Sequence, residues 1–159
     1  MPRTTFDAWL AEPKNAVAIV GATGWVGRAV LDAVLAAAPA LPPERLRLFA
    51  SRRRPLAVAN RAFETEPVGQ ASALGPGRWL VFHAGVIGGD ASAGGEVRRQ
   101  NDDLLGQVLR ISAEANIQRL VLASSGAAGF AEDAPPAKAA YARMKRDHEA
   151  TAQAWSKQT

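Results

Sequence analysis

Apolar positions in this chain fall into two patterns, short unbroken runs and stripes at helical spacing. AVAIV, residues 16–20, is an apolar, β-branched run ending at Gly21, which predicts a buried strand. Val26, Val30, Leu31, Val34 and Leu35 then recur at helical spacing, predicting a helix from Gly24 or Trp25 to about Ala38, where Pro39, Pro42 and Pro43 stop it. RLRLFA (45–50) alternates like a strand, and LAVANRAFE (56–64) reads as a third strand region. Residues 66–77 are turn-rich, WLVFHAG (79–85) is a fourth strand, and GVIGGDASAGG is a glycine-rich loop. A long helix is expected from about Glu96 to Asn116, with Leu104, Leu105, Val108, Leu109 and Ile111 inside. RLVLASS (119–125) gives a fifth strand, and a last helix runs from Ala139 to about Trp155. Strands that read as continuous apolar runs and alternate with helices imply an α/β fold, a parallel sheet covered on both faces.

Composition narrows the chemistry. A chain of 159 residues with 48% hydrophobic positions fits one domain with its own core. It has no cysteine, which excludes a thiol nucleophile, a thiolate-ligated zinc and an iron–sulfur cluster, and fits a reducing compartment. No apolar run approaches the roughly 20 residues of a membrane span, and MPRTTFDAWLAEPKN lacks the apolar segment of a secretory leader, so a cytoplasmic protein without membrane attachment is expected. The net charge of +4 owes much to SRRRP (51–55). Nucleic-acid binding is the weaker reading of that run. Fifteen arginines against four lysines point to an arginine-rich composition, and no aromatic residues interleave with the basic stretch.

GATGWVG sets Gly21, Gly24 and Gly27 three residues apart, directly after the first strand and at the start of the first helix. A chain turning sharply from strand to helix needs residues that tolerate positive φ. Bare backbone also lets a pyrophosphate approach the free N–H groups at the helix start, where the macrodipole favours anions. No Lys-Ser/Thr pair follows, so this is not a P-loop. A plain tight turn is the alternative; the placement favours a dinucleotide site. The second strand is followed by Ser51, Arg52 and Arg53 where an acid would select NAD, so NADP is expected over NAD. Arg54 reads as part of a solvated turn. YARMK (141–145) holds the only tyrosine, with Lys145 one helical turn after Tyr141. Taken alone, such a pair on an Ala-rich helix is read as structural.

GATGWVG, the HAG of VFHAG, Asn101, LVLASSG and YARMK together, in this order, resemble the short-chain dehydrogenase/reductase superfamily, most of all its extended, epimerase/dehydratase-like branch. The resemblance runs from about Ala16 to about Ala154. It implies a doubly wound (Rossmann) parallel sheet of about five strands over residues 15–159, with 1–14 as an N-terminal extension. It also implies that Gly21, Thr23, Gly24, Trp25 and Val26 form the pyrophosphate loop, that Gly27, counted with the same cofactor-binding turn, lets the helix pack close to the sheet, and that Ala84 and Gly85 lie beside the adenosine and ribose. By the same resemblance Tyr141 is the catalytic acid/base, Lys145 lowers its proton affinity and contacts the nicotinamide ribose, Ser125 bonds the substrate oxygen, and Asn101 supports the active site. The activity implied is an NAD(P)-dependent oxidoreductase or epimerase acting on a nucleotide-sugar or a small carbonyl substrate, as a homodimer. A non-catalytic NADP-binding module is the alternative. Glu64 is the only stand-in for the family's acid near the adenine, and AAGF replaces the usual aromatic residue after Ser125. Relatives continue with a sixth strand and a substrate domain, so the chain is expected to be truncated before them. VAIVGATGWVG also resembles semialdehyde dehydrogenases of the aspartate type, but those form a thioester on a cysteine that is absent here.

Overall fold

The computed structural model describes residues 5–71, 74–75, 77–86, 94–115, 117, 119–130, 132–133 and 135–158. Most of the glycine-rich loop expected after the fourth strand, residues 87–93, lies outside these, as do parts of the turn-rich stretch, residues 72–73 and 76. The described residues form a mixed six-stranded sheet and four helices. The strands are β1 (Asn15–Val20), β2 (Leu46–Ala50), β3 (Arg54–Val58), β4 (Arg61–Pro67), β5 (Arg78–His83) and β6 (Arg119–Leu122). The helices are α1 (Thr5–Ala11), α2 (Trp25–Ala37), α3 (Gly94–Glu114) and α4 (Pro136–Ser156).

The sheet order is β3-β4-β2-β1-β5-β6. Five neighbours from β4 to β6 run parallel, and β3 pairs antiparallel with β4 at the edge. The expectation of a wholly parallel sheet of about five strands is therefore corrected at one edge. The stretch 56–64 is not one strand: it folds back on itself at Ala59 and Asn60, both with positive φ (49° and 58°), and Val58 faces Arg61 across the turn. Two left-handed residues suit the right-handed twist of a two-residue hairpin. Ala-Asn is a weak signal for that turn because alanine, unlike glycine, strains at positive φ.

β1 is buried along its whole length because it sits between β2 and β5 with a helical layer on each face. Its side chains alternate between the two layers. Val17 and Ile19 join Leu10, Leu31, Val34 and Leu35 of α1 and α2, while Ala16, Ala18 and Val20 join Val108 and Ile111 of α3. The N-terminal segment is thus part of the body: Leu10 is buried in the core, and Arg45 donates hydrogen bonds to the carbonyls of Leu10, Glu12 and Asn15. No described helix is long and apolar enough to cross a membrane.

The register fixes where the site lies. Val20 of β1 is level with Phe49 of β2 and His83 of β5, and His83 with Leu122 of β6. The residues at or just past the ends of these strands, Gly21, Ala50, Ala84 and Ala123, therefore emerge along one edge. The chain moves outward from β1 to β2 and the hairpin, then returns past β1 to β5 and β6. This reversal opens a crevice at the carboxyl ends of β1 and β5, the usual place for a ligand in an open α/β sheet.

Candidate functional site

A cleft of about 1070 Å³ occupies that crevice. Its floor is the turn from β1 to α2. Gly21 takes φ 84° and donates its N–H to the Phe49 carbonyl at 2.9 Å. A Cβ there would stand 2.6 Å from Gly85 Cα, so the two glycines let the loops after β1 and β5 touch. Gly27 does not line the cleft; a Cβ on it would stand 2.1 Å from the Gly21 carbonyl oxygen, so its role is to seat α2 against the turn. Gly24 caps α2 in an extended conformation with no side-chain hydrogen bond to the helix, which leaves the first-turn N–H groups of α2 without a side-chain acceptor. Thr23, Gly24, Trp25 and Val26 all line the cleft, with Trp25 84% exposed at its mouth.

Ser51 lines the cleft, and of the three arginines that follow it only Arg54 does. Arg52 is exposed and outside the cleft, and Arg53 pairs with Glu64 at 2.7 Å across the β3–β4 hairpin, both side chains largely in solvent. Glu64, held in that pair, does not line the cleft. Arg54 lines the cleft instead: its Nη2 donates to Thr23 Oγ1 at 2.5 Å, and its buried Nε has no partner among the described residues. Residue 54 points inward because it begins β3, where the pleat sets alternate side chains on opposite faces.

The far wall brings together Ala84, Gly85, Ser125, Tyr141 and Lys145, from the loops after β5 and β6 and from α4. β6 ends at Leu122, earlier than expected, so Ala123 to Ser125 are loop. Ser125 Oγ accepts the Ala127 N–H at 3.3 Å, which leaves its own hydroxyl proton to donate elsewhere. Tyr141 is 40% exposed toward the cleft, and Lys145 Nζ lies 6.0 Å from its ring centroid. Lys145 is buried and donates to the Ala123 carbonyl at 3.2 Å. Burial pushes its pKa below the usual lysine value, partly offset by the Glu149 carboxylate.

No family model matches the chain, and no curated protein matches it at a significant level.

Asn101 is buried in α3 outside the cleft lining, and its Nδ2 donates to the Val97 carbonyl at 2.7 Å. Several site residues were missed. Gln100, Asp103 and Gln107 of α3 line the cleft, as do Gly69 and Gln70 after β4. The spacing of 100, 103 and 107 places polar groups on one face of an otherwise apolar-striped helix, a signal legible in the sequence. Behind the cleft, His83 and His148 are buried, and His148 Nε2 lies 2.7 Å from Asp102 Oδ1. Among the described residues no group of three His, Asp or Glu is placed to hold a metal ion.

Proposed function

We propose that the cleft binds NADP(H) and that the protein is an oxidoreductase or epimerase of the extended short-chain dehydrogenase type, built on a Rossmann-like arrangement with an added antiparallel edge strand. The observation that carries this reading is convergence: the glycine turn, Ala84 and Gly85, Ser125, Tyr141 and Lys145 line one cleft although up to 124 positions separate them in the chain (Gly21 to Lys145, 145 − 21). The residues fit the cofactor. The turn is bare backbone at Gly21 and Gly24, α2 presents uncapped N–H groups, and the Arg54 guanidinium has a buried donor without a partner.

When bound, the nicotinamide gives or takes the hydride. The protein's own groups hold and move the proton. Tyr141 presents its phenol to the cleft, and the Lys145 amine behind the ring attracts negative charge developing on the phenol oxygen. Ser125 keeps its hydroxyl proton for a substrate oxygen, which orients the reacting carbon toward Tyr141. A hydroxyl-bearing carbon or carbonyl, in a nucleotide-sugar or a smaller molecule, is the substrate class, and a second copy of the chain is the macromolecular partner in this reading.

Cofactor choice gives the first test. Arg54 is the one of the three arginines that lines the cleft, so in this reading it meets the 2′-phosphate and NADP should bind more tightly than NAD. Charge-assisted bonds of this kind contribute about 1.5–3 kcal/mol, so Arg54→Ala should weaken NADP binding roughly tenfold or more and NAD binding by no more than about twofold. Arg52→Ala and Arg53→Ala should each change NADP affinity by about twofold at most, since both side chains are solvated. Calorimetric titration of each variant with both cofactors decides it. Equal affinities in the wild-type chain, or a larger loss in Arg53→Ala than in Arg54→Ala, would refute the assignment.

A further inference from the structure

The cofactor reading assigns residues to the pyrophosphate, the 2′-phosphate and the proton, but none to the base. The 2′-phosphate sits on the adenosine ribose, so the base lies one sugar ring away from Arg54. Strand pairing sets what else stands at that end of the cleft. Ala50 of β2 is level with Pro67 of β4, so the stretch that holds Ser51 leaves the sheet beside the short 3-10 turn Val68–Gln70. Ser51, Arg54, Gly69 and Gln70 all line the cleft. Val68 is buried in the same core cluster as Val108 and Ile111, which holds the turn against α3. Gln107, the residue before Val108, therefore rests its amide on the turn. A Cβ on Gly69 would stand 3.0 Å from Gln107 Oε1 and 3.5 Å from Nε2, so the glycine makes room for the amide. Gln107 is half-buried and lines the cleft, and its amide has no hydrogen-bond partner among the described residues.

We propose that the Gln107 amide recognises the adenine base, with Gly69 leaving the space in which that amide lies. The proposal rests on the cofactor reading and deepens it. Adenine presents an amino group, a donor, next to a ring nitrogen, an acceptor. A glutamine amide meets both at once, its carbonyl accepting from the amino group and its N–H donating to the ring nitrogen. The hairpin supplies no rival, because Glu64 is paired with Arg53 and does not line the cleft. Asp103 does line it, four residues before Gln107 on the same face of α3, but its side chain is exposed. An ionised carboxylate only accepts, so Asp103 could meet the amino group but not the ring nitrogen beside it. The page of contacts at Gly69 belongs to Gln107 alone among the described residues.

The test compares NADP with etheno-NADP, in which a two-carbon bridge ties the adenine amino group to the neighbouring ring nitrogen and leaves the riboses and phosphates unchanged. By calorimetric titration the wild-type chain should bind NADP roughly tenfold more tightly than the etheno form, the effect of a well-placed amide on a base edge. Gln107→Leu should bind the two within about twofold of each other, by losing affinity for NADP while keeping that for the etheno form. Gly69→Ala should do the same with an unchanged thermal midpoint, because the added methyl meets only the movable end of the Gln107 side chain. Arg54→Ala should weaken both ligands alike and keep the preference between them. A preference that survives in Gln107→Leu and in Gly69→Ala, or one that disappears in Asp103→Asn instead, overturns the proposal. Equal binding of the two ligands by the wild-type chain overturns it as well and leaves the cofactor reading standing. Binding of neither ligand overturns the cofactor reading and this assignment with it.

Discussion

Gly27→Ala should destabilise the protein by at least about 3 kcal/mol, while Gly106→Ala should stabilise it by up to about 1 kcal/mol. Both glycines lie inside helices, where alanine ordinarily gains helix propensity over glycine. Around Gly106 in α3, among the described residues and apart from its chain neighbours and the helix's own nearby backbone, no atom lies within 4 Å of an added Cβ, so propensity decides. At Gly27 the Cβ would meet the Gly21 carbonyl oxygen at 2.1 Å and Ala22 Cα at 2.9 Å, both backbone atoms of the β1–α2 turn. That turn is held by hydrogen bonds from Gly21 and Ala22 to Phe49, so it cannot yield without separating β1 from β2. Overpacking against a fixed backbone outweighs propensity. Urea unfolding of the two variants beside the wild type tests the contrast. Similar stabilities for Gly27→Ala and the wild type would mean that α2 is not seated on the glycine turn.

The second large effect concerns acid. His83 takes up its proton at pH 6.5 when the chain is unfolded but only near pH 4 when folded. Between these values the unfolded state binds more protons, so stability falls as pH falls. The stability present above pH 6.5 should be lost progressively toward pH 4, by about 3 kcal/mol for a shift of this size. His83→Gln removes the titrating group. Its urea midpoint should therefore decline less steeply than that of the wild type between pH 7 and pH 4, and carboxylates that protonate in both proteins cancel in the comparison. Parallel curves would show that His83 is not held neutral by its surroundings.

The elements that set the fold were legible where the pattern was local. β1, α2, β2, β5, α3 and α4 are each marked by their own apolar period, and the glycine turn by its place between the first strand and helix. The β3–β4 hairpin was not legible, because its turn uses Ala59 and Asn60 where glycine would have announced it. That miss carried a second one. Without the hairpin nothing in the sequence pairs Arg53 with Glu64, so Arg52 and Arg53 were favoured and Arg54 was read as a solvated turn, although Arg54, at the start of β3, is the one of the three that lines the cleft. Tyr141 and Lys145 could be read as neighbours because four residues make a helical turn. Asp102 and His148 could not, since their contact spans 46 positions and depends on how α3 packs against α4.

The claim that the cleft is a dinucleotide site is tested most directly at Gly24. Its φ of −75° and ψ of 165° suit alanine, and a Cβ there would lie 3.4 Å from the Gly21 carbonyl oxygen, an ordinary contact. Gly24→Ala should therefore fold with an unchanged thermal midpoint, yet place a methyl group where a pyrophosphate must approach the start of α2. Calorimetric titration with NADPH should give one molecule bound per wild-type chain and no measurable binding to folded Gly24→Ala. No heat from the wild-type chain at high micromolar concentration, or equal binding by the two proteins, would contradict the account.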